Sequence, residues 1–284
     1  MTPFMQNISD SLKPALSSWL YTSGNFGLTS TLFLIIYVAA LLAMVNRART
    51  SGTLPKVRRI AGLDAVDEVV GRATEMGRPV LYSPGIGDLS AADTLASFNV
   101  LGHVAKLIAK YDARLIVCNR MANVQPVTES VVRAAYYEVG KPDAYREDDV
   151  RFLTNDQFGY AAGVVGIMNR EGVSALVMFG LFYAESLVFA EAGNQAGAIQ
   201  VAATSSTSQT PFFIVACDYC LIGEEIYVAG AYLGQDRVRL ATIVVQDWGK
   251  QFTLAVIILG TLVSTFVSVT GGKGNFIIDL LKLY

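Results

Sequence analysis

Arg78 to Asp93 reads RPVLYSPGIGDLSAAD: an apolar run, two close glycines, then a helix start. A strand, a glycine turn and a helix N-terminus make a phosphate cradle, because glycine admits close backbone approach and the first helical N–H groups point at the anion. A dinucleotide fingerprint needs a third glycine where Ser90 stands, and Asp88 would face the pyrophosphate and repel it. No Walker lysine follows. Ser90 and Asp93 have the spacing of a capping box. Gly85, Gly87 and Asp88 therefore read as a tight turn into a helix, with phosphate binding the lesser reading.

Other groups offer weaker chemistry. Thr204 to Thr210, TSSTSQT, carries hydroxyls and an amide that suit sugar or phosphate oxygens, with Ser205 and Ser206 at its centre. The bland alternative is a solvated loop bonding its own backbone. Cys217-Asp-Tyr-Cys220 follows the apolar run PFFIVA, read as a strand, and precedes a helix-like stretch. A helix N-terminus there would lower a thiol pKa, but Asp218 between the sulfurs opposes ionisation. Zinc would need four ligands, and the single histidine, His103, falls mid-helix. FYAES is not a nucleophile elbow. Asp88, Asp156, Glu185, Asp218, Glu224 and Glu225 are carboxylates for a hard-cation site or an acid–base pair, although Asp156 reads equally well as a helix cap.

These residues need a scaffold that gathers them. Helical stretches such as LDAVDEVVGRATEM and AADTLASFNVLGHVAKLIAKY alternate with the short apolar runs PVLYS, RLIVCN, VRFLT, VSALVMFG, AIQVAA and PFFIVA. Continuous apolar runs of strand length mark a parallel sheet covered on both faces. The expectation is a doubly wound, largely parallel Rossmann-like α/β domain of about six strands. VSALVMFGLFYAESLVFA reads as a strand entering a helix, not a further membrane span, because it holds Glu185. Gly159 and Gly163 suggest a closely packed helix. Ligands of such folds bind outside the strand carboxyl ends. The candidate crevice is therefore Gly85, Gly87, Asp88, Asn119, Asp156, Glu185, Ser205, Ser206 and Asp218, with no cofactor or metal assigned.

Composition places the domain. Of 284 residues, 52% are hydrophobic and only 16% charged, well under the roughly 25% usual for soluble domains. Phe26–Val45 and Gln251–Gly272 are uncharged runs long enough to span a bilayer. Arg47, Arg49, Lys56, Arg58 and Arg59 follow the first run without an intervening acid, which puts the central region in the cytoplasm and both termini across the membrane. The expected plan is an interfacial segment 1–25, a span 26–46, a basic linker 47–59, the α/β domain 60–250, a second span 251–272 and an interfacial tail 273–284. A net charge of −2 offers no field for nucleic acid, and three cysteines do not make a secreted disulfide framework.

The stretch KVRRIAGLDAVDEVVGRATEMGRPVLYSPGIGDL, with TNDQFGYAAGVVGIMNRE, FYAESLVFAEAG and CDYCLIGEE, resembles a family of bacterial and archaeal membrane proteins that carry a domain of unknown function. The resemblance covers the central domain and its basic linker and implies no catalytic residue. The expected function is a homo-oligomeric structural or organising complex, a ring or lattice at the inner membrane, with the bilayer, further copies and other membrane proteins as partners. A small-molecule-binding or enzymatic domain with a polar crevice is the alternative, and a transporter subunit a weaker third.

Overall fold

A computed structural model describes residues 28–50, 60–234 and 237–269. The chain forms two compact units, residues 58–236 and the two flanking segments 1–57 and 237–284.

The larger unit is a six-stranded sheet, β1 (Val80–Gly85), β2 (Leu115–Asn119), β3 (Val150–Phe152), β4 (Ala175–Leu181), β5 (Ile199–Thr204) and β6 (Tyr219–Ile222). Its order is β3-β2-β1-β4-β5-β6 and every pairing is parallel. Strand order reverses between β1 and β4, the switch point of a doubly wound sheet.

The helices follow their flanking strands. After α1 (Leu28–Thr50), which belongs to the smaller unit, α2 (Ala61–Glu75), α3 (Ala92–Tyr111), α4 (Gln125–Val139) and α8 (Glu225–Leu233) cover one face, while α5 (Gln157–Glu171), α6 (Glu185–Ala196) and α7 (Thr210–Ala216) cover the other. Both faces being covered explains the continuous burial of β1, β2 and β4. Successive β1 side chains divide between the faces. Tyr82 donates to Ser97 O on α3 at 2.7 Å, whereas Ser83 meets the Tyr160 hydroxyl on α5 at 2.8 Å. The α5–α7 face holds an aromatic cluster in which Tyr160, Phe182, Phe189 and Phe213 pack edge to face.

One apolar run departs from the sequence reading. PFFIVA is not a strand: it is α7, and the sixth strand is YCLI. Pro211 occupies the first turn, where a missing N–H costs nothing, and Phe213 is buried among Phe182 and its neighbours while Phe212 and Val215 face outward. Six apolar residues after a proline fit either element, and packing against α6 decides. Gly159 and Gly163 do not bring α5 close to another element. A Cβ on either would meet the chain just before α5, at Thr154 and Asp156 or at Leu153.

In the smaller unit α1 (Leu28–Thr50) packs on α9 (Arg237–Val269), and the Tyr37 ring lies where a side chain on Gly249 would come within 2.9 Å of it. Residues 237–250 belong to this long helix and not to the sheet domain. The sequence runs 26–45 and 251–272 fall on α1 and α9, and both extend outside the described residues. Among the described residues no helix is long and apolar enough to cross a membrane. Arg47 and Arg49 occupy the last turn of α1; Lys56, Arg58 and Arg59, like the terminal segments 1–25 and 273–284, lie outside the described residues.

Candidate functional site

The carboxyl edge of the sheet is where the fold would place a ligand, and at the switch point it is closed. The β1–β4 register slips at Gly85, which pairs with Leu181, and Ile86 N then donates to Leu181 O at 2.8 Å. This contact requires glycine on both strands. Gly85 has φ +83° and Gly180 φ +151°; a Cβ on Gly180 would sit 1.9 Å from Pro84 O, and one on Gly85 2.2 Å from Leu181 O. Ile86 and Phe182, just past these strand ends, are buried in the hydrophobic core.

The loop after β1 is a turn. Asp88 Oδ1 accepts from Ser90 N at 2.9 Å and from Ser90 Oγ at 2.6 Å, and these hydrogen bonds hold its carboxyl below the usual range. The capping box does not form. The N-cap of α3 is Ala91, without a side-chain bond. Asp93 is buried and points to β5, accepting from Ser205 Oγ at 2.7 Å and from the Tyr227 hydroxyl on α8. The Tyr227 phenol is shifted up, first by burial and then by its bond to Asp93. Gly87 lies against Thr94 Oγ1, 2.4 Å from where a Cβ would stand, and that buried hydroxyl has no hydrogen-bond partner among the described residues.

The other candidates divide. Glu185 is fully buried and accepts from Gln157 Nε2 at 2.5 Å and Tyr183 N at 2.8 Å. Asn119 is buried in a structural role, accepting from Thr128 Oγ1 at 3.2 Å. Asp156 caps α5, accepting from Gly159 N at 2.6 Å. Ser206 Oγ meets Ser208 Oγ at 3.0 Å, as in a self-bonded loop. Asp218 lies at the opposite edge, where it accepts from Gln200 N, one residue into β5, at 2.8 Å. It leaves the crevice because β6 begins after it.

The same shift overturns the dithiol reading. Cys217 caps the C-terminal end of α7 and Cys220 lies within β6, so no helix N-terminus serves either sulfur. Burial, and then neighbouring Cys220 and Asp218, push Cys217 up to about 12; burial and then Glu225 push Cys220 up to about 11. Both thiols are free and stay protonated near neutrality. No cluster of metal-binding side chains occurs among the described residues; Glu225 accepts from Ile222 N at 3.1 Å, and His103 pairs with Asp67 at 2.7 Å across the helix surface.

At the amino edge, Arg114 donates two bonds to Asp149, at 2.6 and 2.9 Å, and one to Glu171 at 2.8 Å, with Arg151 beside both acids. The bidentate Asp149 contact, assisted by Glu171, raises the Arg114 pKa further. A cavity of about 300 Å³ adjoins this pair, lined also by Tyr136, Tyr145 and Arg146. It lies away from every strand carboxyl end, and its innermost charges neutralise each other.

One polar group at the carboxyl edge stays unmatched in charge. Arg120 follows β2, donates Nη1 to Ile86 O at 3.0 Å, and has no carboxylate within ion-pair distance among the described residues. Its buried Nε has no hydrogen-bond partner among the described residues. In the sequence Arg120 follows Asn119 at a strand carboxyl end, but it is not among the candidate crevice residues, because an arginine after a strand looks like any solvated one. Tyr227 gave no local signal either: its acid lies 134 residues away.

A model of a family described as a domain of unknown function, DUF6754, matches residues 21–274. The chain belongs to the DUF6754 family. No curated protein and no solved structure matches it. The match takes in the whole sheet domain with α1 and all of α9, so it spans residues of both units of the chain.

Proposed function

We propose that this DUF6754 protein is a membrane-anchored α/β module that self-associates into an organising complex at the bilayer, through the outer face of α6 and α7. The observation that carries this reading is the character of that face. Leu187, Val188, Phe212, Ile214 and Val215 are all exposed, Val215 to 88%. The helices run side by side in the same direction: Ser186 bonds Gln209 at one end and Asn194 bonds Ala216 O at the other. Glu191 is the one exposed charge the two helices carry, since Glu185 is buried.

An apolar face that carries a single charge, Glu191, one helical turn from Leu187 and Val188, fits another of the same kind, and the chain guarantees its own as a partner, in an isologous pair. Burying the exposed fractions of those five side chains contributes about 4–8 kcal/mol per copy. Two copies contribute roughly 8–16 kcal/mol, close to the roughly 4–15 kcal/mol that association costs. Confinement to a membrane then tips the balance by raising effective concentration.

Anchoring is supported by α1 and α9, whose large apolar side chains, among them Ile35, Ile36, Ile257, Leu262 and Phe266, stand exposed. The full uncharged sequence runs reach from Phe26 and to Gly272. The basic residues after the first run orient the sheet domain toward the cytoplasm. The test is energy transfer between donor- and acceptor-labelled full-length chains in liposomes as lipid dilutes protein. Transfer that survives dilution supports assembly; transfer that falls along the curve for random mixing refutes it.

A further inference from the structure

We propose that Arg120 is the anchor of an oxyanion-binding site at the carboxyl edge of the sheet, taking the carboxylate or phosphate group of a small ligand. The proposal stands on the guanidinium's own hydrogen bonds. Arginine offers its donors along two edges, and the Nε–Nη2 edge presents two parallel N–H groups matched to two oxygens of one anion. In this chain Nη1 is spent on Ile86 O, which fixes the plane of the group. Nε is buried without a partner, and Nη2 makes no hydrogen bond among the described residues.

A buried N–H left unmatched costs free energy that folding alone has no reason to spend, and structural arginines of this domain show the contrast. Arg114 and Arg151 both meet Asp149 and Glu171. Among the described residues Arg120 meets no acid, yet it is partly withdrawn from water and stands beside the β1–α3 loop. Glu185 is already occupied by Gln157 and Tyr183 N, so the positive charge is the one left to receive a ligand. The ligand group we infer is compact, with two oxygens matched to the unpaired Nε–Nη2 edge of Arg120.

The experiment uses full-length protein in detergent with inorganic phosphate and acetate as separate probes and chloride as the ionic-strength control. Phenylglyoxal modifies accessible arginines, and mass spectrometry reads each site on the unaltered chain. Selective slowing at Arg120 by either probe, by about tenfold near saturation, with Arg72 and Arg133 unchanged, is the expected result. Protection by phosphate alone identifies a phosphorylated ligand; protection by acetate as well identifies the simpler carboxylate chemistry. Equal slowing at all three arginines, or an Arg120 that never reacts because it is sealed, overturns the proposal. Arg120→Lys keeps the charge and loses the paired edge, so the probe's saturable thermal stabilisation should weaken by about tenfold; stabilisation equal to that of the unaltered chain also overturns it.

Discussion

Val215→Asp separates the assembly reading from every account in which the α6–α7 face is idle surface. In the isolated chain Val215 is 88% exposed, so the substitution touches almost nothing in the fold. Surface changes of this kind fall within about 0.5 kcal/mol, plus about 0.3–1 kcal/mol for an acid in the last turn of a helix. Within a self-paired interface the same change removes most of a valine's burial, about 1.5–3 kcal/mol. It also strands a carboxylate away from water, at about 2 kcal/mol or more. An isologous contact counts both effects twice, giving roughly 7–10 kcal/mol and a weakening beyond about 10⁴-fold. The liposome energy-transfer assay should then follow the random-mixing curve, while the circular dichroism melt stays near that of the parent. Val215→Lys places the opposite charge where the helix end favours it, and it should abolish assembly equally. Both variants retaining the parental transfer curve would refute the reasoning.

Further outcomes follow from the same structure. Gly180→Ala places a Cβ 1.9 Å from Pro84 O at a backbone φ of +151°, so chemical denaturation should show a loss of about 3 kcal/mol or more. Asp149→Ala leaves Arg114 with Glu171 alone; with Asp149 6% and Arg114 34% exposed, the loss should be about 2–3 kcal/mol, below the roughly 3–5 kcal/mol of a fully buried pair. At pH 8, Cys217 at about 12 and Cys220 at about 11, against an ordinary 9.0, should alkylate about 10³-fold and about 10²-fold more slowly than in the unfolded chain. Those thiols also set an alkaline limb: between pH 9.0 and about 11–12 only the folded state keeps their protons, so unfolding releases them and stability falls as pH rises. Arg114, and then Arg151, hold the Glu171 carboxyl below its ordinary 4.5. That stabilisation is present above 4.5 and lost as pH falls through the lowered value, and Glu171→Gln should flatten this acid limb.

Much of the architecture was legible because strand and helix signals are local. Runs such as PVLYS and SALVMFG are apolar at consecutive positions, and only a sheet covered on both faces buries consecutive side chains. PFFIVA carries the same signal and became α7, because Phe213 meets Phe182 across the core while its neighbours face outward. That one change moved Cys217, Asp218 and Cys220 off the carboxyl edge. The site was less legible. Asp156 was readable as a cap from its place before a helix, and it is one. Asp93 matched a capping pattern and instead bonds Ser205 and Tyr227 from distant elements.

The sequence by itself determined the class of fold and five of the six strands, through the period and length of its apolar runs, and it pointed to two flanking apolar segments outside the charge-bearing domain. Tertiary structure decided which polar groups are spent and which are left over. Whether Glu185 is satisfied, whether Arg120 has an acid, and whether the switch point is open depend on contacts between residues far apart in the chain. Hydrogen bonds and excluded volume act over a few ångströms in space, and linear order carries no record of that distance.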